Sequence, residues 1–319
     1  MTEAMAGLGF GCGDLFGGDR ERESLRLVEA ALDAGVRHFD VARLYGDGSA
    51  EGVLGKALKP VRDQVTLVSK AGIVPWSMRL GARIGGKAAR LARKAPPLRA
   101  LVPEPPPAGP RFGAFDLKSL KHSVDVSLKA LGADRLDVLL LHECGPADVS
   151  RPEMLRFLEG LRAQGKILAY GVAARFEETL AILAETPAIA PVVQAASDAA
   201  NRNVEQLQAA GAARIITHTP LKDALPLLME RLAREPEAAE AWRGVTGRDP
   251  GDREAAAALL LAEAAAQNAG GVVLFSTSRP DRIAQAVRAV KTAPSPAERR
   301  LLQDLLHRSE HRTHEVMST

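Results

Sequence analysis

Four residues with acid, base or proton-donor side chains lie at or just after the ends of predicted strands. Asp40 ends a β-rich run that begins at Val36, and Tyr45 follows it by five residues. Lys70 and His142 each follow another apolar run. Only two tyrosines occur in the whole chain, which makes an accidental placement of Tyr45 beside these residues less probable. If the strands are parallel neighbours, their carboxyl ends bring the four side chains to one face of the sheet.

The chemistry that such a set predicts is the reduction of a carbonyl group. An adjacent ammonium stabilises a phenolate and so lowers the pKa of a phenol. Asp40 would hold Lys70 in place, and Lys70 would activate Tyr45. His142 would orient a carbonyl oxygen or share its proton. The carbonyl carbon must receive a hydride, which no side chain supplies, so this chemistry requires a cofactor.

Each residue also has an ordinary structural interpretation. Asp40 alone could be a helix cap, Lys70 a surface lysine at a strand end, and His142 a satisfied polar group at a rim. The four together, in this order and on these predicted elements, favour an active site.

Strand-like and helix-like segments alternate along the chain, which is typical of a parallel α/β fold. The eight predicted strands are residues 7–11, 36–39, 65–69, 136–141, 168–172, 192–195, 214–217 and 271–275. We therefore predict one (β/α)8 TIM barrel domain over residues 1–319. A doubly wound open sheet is the alternative. It needs fewer strands and usually has a Gly-x-Gly-x-x-Gly turn after the first strand. Gly9, Gly11 and Gly13 come close to this motif but do not complete it.

Sequence signals at several helix ends support this division. Asp116 is the expected N-cap of a helix that stops at Gly132. Ser150 and Glu153 form an expected capping box, with Pro152 at the first helical position.

Two segments depart from the regular repeat, and a third is C-terminal. Residues 72–115 have a basic half and a proline-rich half, and we expect either a solvated insertion or a lid over the active face. Trp76 within it is a candidate wall of an apolar substrate pocket. Residues 235–251 are a second expected rim loop, and residues 291–319 are expected to form a C-terminal helix and tail.

Composition excludes several classes of function. The chain has 319 residues, 46% of them hydrophobic, and a formal net charge of +3 without an interleaved basic and aromatic stripe, so no nucleic-acid partner is expected. No apolar run approaches the roughly 18 residues that span a membrane. Two cysteines, Cys12 and Cys144, and an N-terminus unlike a signal peptide favour the cytoplasm. We expect a monomer or weak homo-oligomer with no metal site, and Cys12 in the substrate pocket.

The sequence resembles the aldo-keto reductase superfamily in three stretches. They are Gly-Val-Arg-His-Phe-Asp-Val-Ala-Arg-Leu-Tyr-Gly at 35–46, Val-Ser-Lys-Ala at 68–71 and Leu-Asp-Val-Leu-Leu-Leu-His at 136–142, within a resemblance that extends from Leu8 to about Val290. It implies a (β/α)8 barrel whose catalytic tetrad is Asp40, Tyr45, Lys70 and His142. It also implies a small-molecule carbonyl substrate and NADPH, less often NADH, bound across the barrel mouth.

The resemblance carries over less completely to the nicotinamide site. Gln194 matches the family's glutamine that holds the nicotinamide carboxamide. The Ser-Asn pair that usually assists it is replaced by Ala173 and Ala174, which offer no side-chain hydrogen bonds. His218 occupies the position where an aromatic ring often stacks on the nicotinamide.

The last strand and helix resemble the family's segment for the adenosine phosphate. A helix beginning at Pro280 has free amide groups and a dipole that suit an anion, and arginines there could bind a 2′-phosphate. The lysine often found at position 276 and the asparagine often found at 286 are absent. We expect NADPH, with NADH possible. The implied cofactor-binding residues are Ser276, Thr277, Ser278, Arg279 and Arg282.

Two other functions remain open from the sequence. The first is a catalytically weak or inactive relative that binds nucleotide in a regulatory role. Ala173 and Ala174 are consistent with it, because they lack the side-chain hydrogen bonds of the usual Ser-Asn pair. A Schiff-base aldolase would use Lys70, but Asp40 beside it would hold the amine protonated and non-nucleophilic.

Overall fold

Eight parallel strands close into a barrel in the computed structural model, which describes residues 7–75 and 109–306. Each strand pairs with its neighbour in sequence, and the first also pairs with the last. The strands β1 to β8 are Gly7–Gly11, His38–Asp40, Thr66–Ala71, Leu136–His142, Ile167–Ala173, Val193–Ala196, Ile215–His218 and Val272–Phe275. The predicted (β/α)8 TIM barrel is confirmed, and the alternative of an open sheet is wrong.

Helices surround the barrel. Within the described ranges, helices α1 to α12 are Glu21–Asp33, Ala50–Leu58, Leu117–Leu131, Pro146–Val149, Pro152–Ala163, Phe176–Glu185, Asn203–Ala209, Ala224–Arg234, Pro236–Thr246, Arg253–Gln267, Pro280–Ala289 and Pro296–Leu306. Short 3-10 turns lie at Gly18–Arg20, Tyr45–Gly48, Lys59–Gln64 and Pro187–Ile189.

Alternation along the strands separates two cores. On β4, Val138 and Leu140 belong to the cluster inside the barrel, whereas Leu139 and Leu141 pack against the surrounding helices. On β3, Val68 belongs to the interior cluster. Lys70 lies two residues further along the same strand, so it faces the same interior at the strand's carboxyl end.

Two of the expected helix ends are as predicted and one is not. The Asp116 carboxylate accepts a hydrogen bond of 2.9 Å from the backbone N–H of Ser119, and Gly132 ends this helix at φ 60°. The capping box at Ser150 is wrong. Helix α5 begins at Pro152 with Arg151 at the N-cap and no side-chain cap, because Ser150 instead ends the short helix α4.

The expected rim loop at 235–251 is largely helical, so that expectation is wrong. Helix α9 covers Pro236–Thr246 and ends at Gly247, which has φ 66°. Trp242 and Ala238, one helical turn apart, are buried in a cluster with Leu228 and Leu305 from the neighbouring helices. The burial of an indole ring therefore stabilises a helix in a segment whose polar composition suggested a loop.

The base of the insertion after β3 is fixed to the barrel. Val74 and Arg111 exchange two backbone hydrogen bonds of 2.9 Å. Phe115 packs on Gly72, where a Cβ would lie 2.4 Å from its ring. Trp76 lies outside the described residues, so its predicted place in a substrate pocket stays a prediction.

Helix α12 lies within the segment 291–319 that was expected to form a C-terminal helix and tail, and residues 307–319 lie outside the described part of the chain. Across residues 7–75 and 109–306, no helix combines the length and apolar character needed to cross a membrane.

Candidate active site

A cavity of about 440 Å³ opens at the carboxyl ends of the strands. It is lined by residues from the ends of β1, β2 and β4 to β8 and from the loops that follow them. The structure brings six of the sequence-predicted residues to its wall: Asp40, Tyr45, His142, Gln194, His218 and Ser276.

Lys70 and Asp40 form an ion pair at the base of this cavity. The Lys70 ammonium donates to Asp40 Oδ1, and both residues are 2% exposed. Burial by itself would lower the pKa of Lys70, but the charge of Asp40 and the contact with Tyr45 outweigh it, so the pKa is raised. The amine is therefore held as an ammonium.

Tyr45 stands directly above this ammonium. Lys70 Nζ lies 3.4 Å from the Tyr45 hydroxyl oxygen and 5.0 Å from the centre of its ring. The ammonium also lies 3.4 Å from the backbone carbonyl oxygen of Val41. A protonated amine in this position stabilises negative charge on the phenol oxygen.

A tight turn places Tyr45 over the strand ends. Tyr45 begins a 3-10 turn, and the next residue, Gly46, has φ 56°. A Cβ on Gly46 would lie 1.8 Å from the backbone oxygen of Leu15, so only glycine fits. The Gly46 N–H donates to the carbonyl of Gly13 at 3.3 Å, which joins this turn to the loop after β1.

His142 completes the group at the end of β4. Its ring meets that of Tyr45 edge to face, with ring centres 6.3 Å apart and planes at 86°. Burial first, and then the positive charge of Lys70, lower the pKa of His142 to about 3. His142 is therefore a neutral imidazole at neutral pH, able to donate one hydrogen bond without carrying charge.

Gln194 makes a contact that the sequence interpretation missed. Its amide nitrogen donates to Asp40 Oδ2 at 2.8 Å, so the Asp40 carboxylate is held by Lys70 on one oxygen and by Gln194 on the other. Gln194 is 4% exposed. Nothing in the sequence signals this pair, because the two residues are 154 positions apart.

The residues that the resemblance implies for the nicotinamide lie on the same cavity wall. Ala173 and Ala174 line the cavity, and their side chains are methyl groups. His218 is also at the wall, and burial lowers its pKa to about 4. Lys222, which the sequence analysis did not single out, is an exposed cation on the same wall and lowers the pKa of His218 further.

Two residues with strained backbones follow the strand-end histidines. Glu143 after His142 has φ 55°, and Thr219 after His218 has φ 59°. A β-branched residue with positive φ is rare, and such strain clusters at functional sites. Both residues line the cavity.

The segment after β8 lies beside the cavity. Ser276 Oγ donates to the backbone oxygen of Gly11 at 2.9 Å, and Thr277 Oγ1 accepts from the N–H of Arg279 at 3.1 Å. Arg279 is bound by Asp281, with Nε to Oδ1 at 3.2 Å, whereas Arg282 is exposed.

This segment has the donors that a phosphate requires. Helix α11 begins here without a side-chain cap; its first residue, Pro280, has no N–H, and the N–H of Arg282 donates to the Arg279 carbonyl at 3.2 Å. Guanidinium groups such as those of Arg279 and Arg282 are donors of the kind that bind a phosphate. Ser278 is exposed next to them.

Cys12 is not brought to the cavity. Its side chain is fully buried, its thiol lies 3.6 Å from the backbone oxygen of Phe10, and burial raises its pKa well above the usual range. It therefore does not line this cavity, in which it was expected as a substrate-pocket residue. In the described part of the chain, no group of three or more His, Cys, Asp or Glu residues is arranged to hold a metal ion.

Comparison with known proteins places this site in a family. The model of the aldo/keto reductase family matches residues 7–305. D-threo-aldose 1-dehydrogenase from a Pseudomonas species is 31% identical over 197 residues, which are 56% of this chain and 52% of that protein. 6-dehydroglucose reductase from Agrobacterium fabrum is 29% identical over 150 residues, or 46% of this chain and 41% of that protein. The chain thus spans about half the length of these curated relatives.

A solved structure shares the fold over a longer part of the chain. An aldo-keto reductase from Klebsiella pneumoniae in complex with NADPH superposes with a TM-score of 0.67 at 23% identity. The superposition covers 94% of this chain and 90% of that one.

Proposed function

The chain belongs to the aldo/keto reductase family, and we propose on that basis that it reduces aldehyde or ketone carbonyls to alcohols with NADPH. The observation that supports this proposal best is the buried Lys70–Asp40 pair, which holds an ammonium 3.4 Å from the Tyr45 hydroxyl at the base of a cavity. We assign Tyr45 as the general acid.

The electrostatics around Tyr45 suit proton donation to a carbonyl oxygen. When the phenol gives up its proton, the negative charge that appears on its oxygen faces the Lys70 ammonium. Asp40 keeps that ammonium charged and in place, and Gln194 fixes the carboxylate. Because these groups are buried, their charges are weakly screened and need no rearrangement during the reaction.

His142 would orient the substrate. Its pKa of about 3 makes it neutral at pH 7, so it would donate a hydrogen bond to the carbonyl oxygen without competing as an acid. Its position edge-on to Tyr45 supports both groups addressing the same oxygen.

NADPH bound at this mouth would supply the hydride. Gln194 has an amide oxygen available for the nicotinamide carboxamide. Ala173 and Ala174 would contribute only van der Waals contact, without side-chain hydrogen bonds. At the other end, Arg279, Arg282 and the N-terminus of α11 would hold the 2′-phosphate, and this pair of cations favours NADPH over NADH.

Nucleotide binding is the first test. We would titrate the purified chain with NADPH and NADH and follow nicotinamide and protein fluorescence for wild type and Arg282→Ala. Arg288→Ala on the last turn of the same helix is the control, since it removes one exposed charge elsewhere. The proposal expects Arg282→Ala to weaken NADPH binding about tenfold, with NADH binding and the control unchanged. Absence of binding by either nucleotide at millimolar concentration would refute it.

Turnover is the second test. We would screen aldehydes, ketones and aldoses, the last because of the name of the Pseudomonas relative, with NADPH oxidation as the signal. Tyr45→Phe should lower kcat by roughly 100- to 10,000-fold, as expected for loss of a general acid, while leaving NADPH affinity unchanged.

A second candidate function rests on Ala173 and Ala174. Without side-chain hydrogen bonds at these positions, nucleotide could bind without productive placement of the nicotinamide, as in a regulatory relative. Binding without turnover on any carbonyl would select this function. The raised pKa of Lys70 argues against an aldolase, because an amine held protonated is not nucleophilic.

A further inference from the structure

A buried cluster of polar side chains lies behind the candidate catalytic residues. Its members come from the loop after β2 and from α2, β3 and α3, and each is at most 4% exposed. We name it the rear cluster, and it consists of Arg43, Glu51, Ser69, Ser123 and Ser127. None of these residues lines the cavity at the mouth.

Hydrogen bonds connect the rear cluster across four elements. Ser69 Oγ donates to Glu51 Oε1 at 2.7 Å, and the Ser127 hydroxyl also bonds to the Glu51 carboxylate. Arg43 Nη1 donates to Ser123 Oγ at 2.9 Å. Ser123 and Ser127 lie one turn apart on α3, so one face of that helix receives both charged residues.

The two charged members interact with each other. Burial is the main influence on both: it lowers the pKa of Arg43 and raises the pKa of Glu51. The charge of each partner opposes these shifts, as does that of Lys70 for Glu51. The attraction between the two charges therefore offsets part of the cost of burying them.

The positions of these residues in sequence connect them to the catalytic groups. Arg43 lies between Asp40 and Tyr45 in the sequence and does not line the cavity. Glu51 follows the Tyr45 turn at the start of α2. Ser69, its partner, directly precedes Lys70 on β3, so the two side chains leave the strand on opposite faces.

We propose that Arg43 and Glu51 are positioning residues that anchor the Tyr45 loop, residues 41–49, so that the phenol stays over the Lys70 ammonium. Arg43 ties the middle of the loop to α3, and Glu51 ties its end to the strand that carries Lys70. This proposal rests on the proposed function for its catalytic consequence, but the anchoring itself does not depend on turnover.

The variants separate charge from shape. Glu51→Gln keeps the size of the side chain and an oxygen that can accept from Ser69, but removes the negative charge near Arg43. Arg43→Met removes the positive charge and leaves that of Glu51, and the double variant removes both charges. Asn268→Ala is the control, because the buried Asn268 bonds to the backbone of Ile215 and Val272 at the opposite end of the barrel.

Hydrogen exchange measures anchoring without any substrate. We expect both single variants to speed exchange of the loop amides in residues 41–49 at least tenfold, whereas Asn268→Ala does not. The double variant should unfold at a higher urea concentration than the sum of the two single effects predicts, because the two buried charges influence each other. If a single variant fails to fold and the double variant folds, this supports an interaction between Arg43 and Glu51. Exchange of the loop amides in the double variant then tests the anchoring.

Kinetics test the catalytic consequence. Because small misplacements of reacting groups can cost about 100-fold, Glu51→Gln should lower kcat by about that factor while KM stays within about twofold. If Glu51→Gln loses stability as Asn268→Ala does but leaves loop exchange and kcat unchanged, the positioning role is overturned. If wild type reduces no carbonyl, the proposed function fails, and loop exchange alone decides the anchoring.

Discussion

His38 should make the fold sensitive to mild acid. It lies on β2 two residues before Asp40, so both side chains point into the barrel. The residue is 3% exposed, and within residues 7–75 and 109–306 neither ring nitrogen has a hydrogen-bond partner. A Cβ on Gly9 would lie 2.8 Å from the His38 ring, so the ring is tightly packed.

The size of the effect follows from the pKa of His38. Burial is the main cause that lowers it, from 6.5 to about 4; the charge of Asp40 raises this pKa to a smaller extent, and that of Lys70 lowers it. Below pH 6.5 the His38 imidazole binds a proton in the unfolded chain, whereas in the folded chain it stays neutral until about pH 4. The free energy of unfolding therefore falls as the pH falls through this window, at roughly 1.4 kcal/mol per unit of pKa difference. The loss is about 2 kcal/mol at pH 5 and reaches about 3 kcal/mol once His38 is protonated in both states.

The assay compares wild type with His38→Leu by urea unfolding at pH 7 and pH 5. Wild type should lose about 2 kcal/mol more between these pH values than the variant does. At pH 7 the variant should be more stable by about 1 kcal/mol, since it buries no unpaired polar atoms. His142 and His218 also have lowered pKa values, but both proteins share them, so the difference isolates His38.

The control is His122→Leu, a substitution at an exposed position on α3. It should lose the same free energy as wild type between the two pH values. Equal losses for wild type and His38→Leu would refute the reasoning, because His38 would then have a partner or access to water when folded.

Three further predictions concern the nucleotide and the second tyrosine. The double variant Ala173→Ser with Ala174→Asn should raise NADPH affinity about tenfold by adding hydrogen bonds, measured by fluorescence titration. Asp281→Asn should strengthen NADPH binding several-fold and leave NADH unchanged in the same titration, because it frees Arg279 and removes a negative charge near the phosphate site. Tyr170→Phe should lower the free energy of unfolding by about 1–2 kcal/mol in urea, through loss of a 2.6 Å bond to a carboxylate, without reducing turnover.

Local patterns in the sequence were sufficient to predict the strands and the polar residues at their ends. The ends of each predicted strand lie within two residues of the observed ends. The reason is that a short apolar run bounded by polar residues and glycines favours a buried strand. Once the strands are parallel and ordered as in the chain, their ends share one face. Asp40, Lys70 and His142 were therefore predictable as neighbours.

Burial decided the positions where the sequence analysis was wrong. Helix α9 exists because Trp242 is buried among leucines of α8 and α12, and no local signal identifies those partners. Cys12 directly follows a strand end, as a cavity residue would, yet its side chain points into the protein.

The sequence by itself determined the number of strands, their order and the residue types at their ends. Only the tertiary structure decided which side chains touch. Gln194 meets Asp40 across 154 residues, and Arg43 meets Ser123 across 80. Such contacts depend on barrel closure and on the stagger between strands, which are properties of all the strands together and leave no trace in the spacing of any one motif.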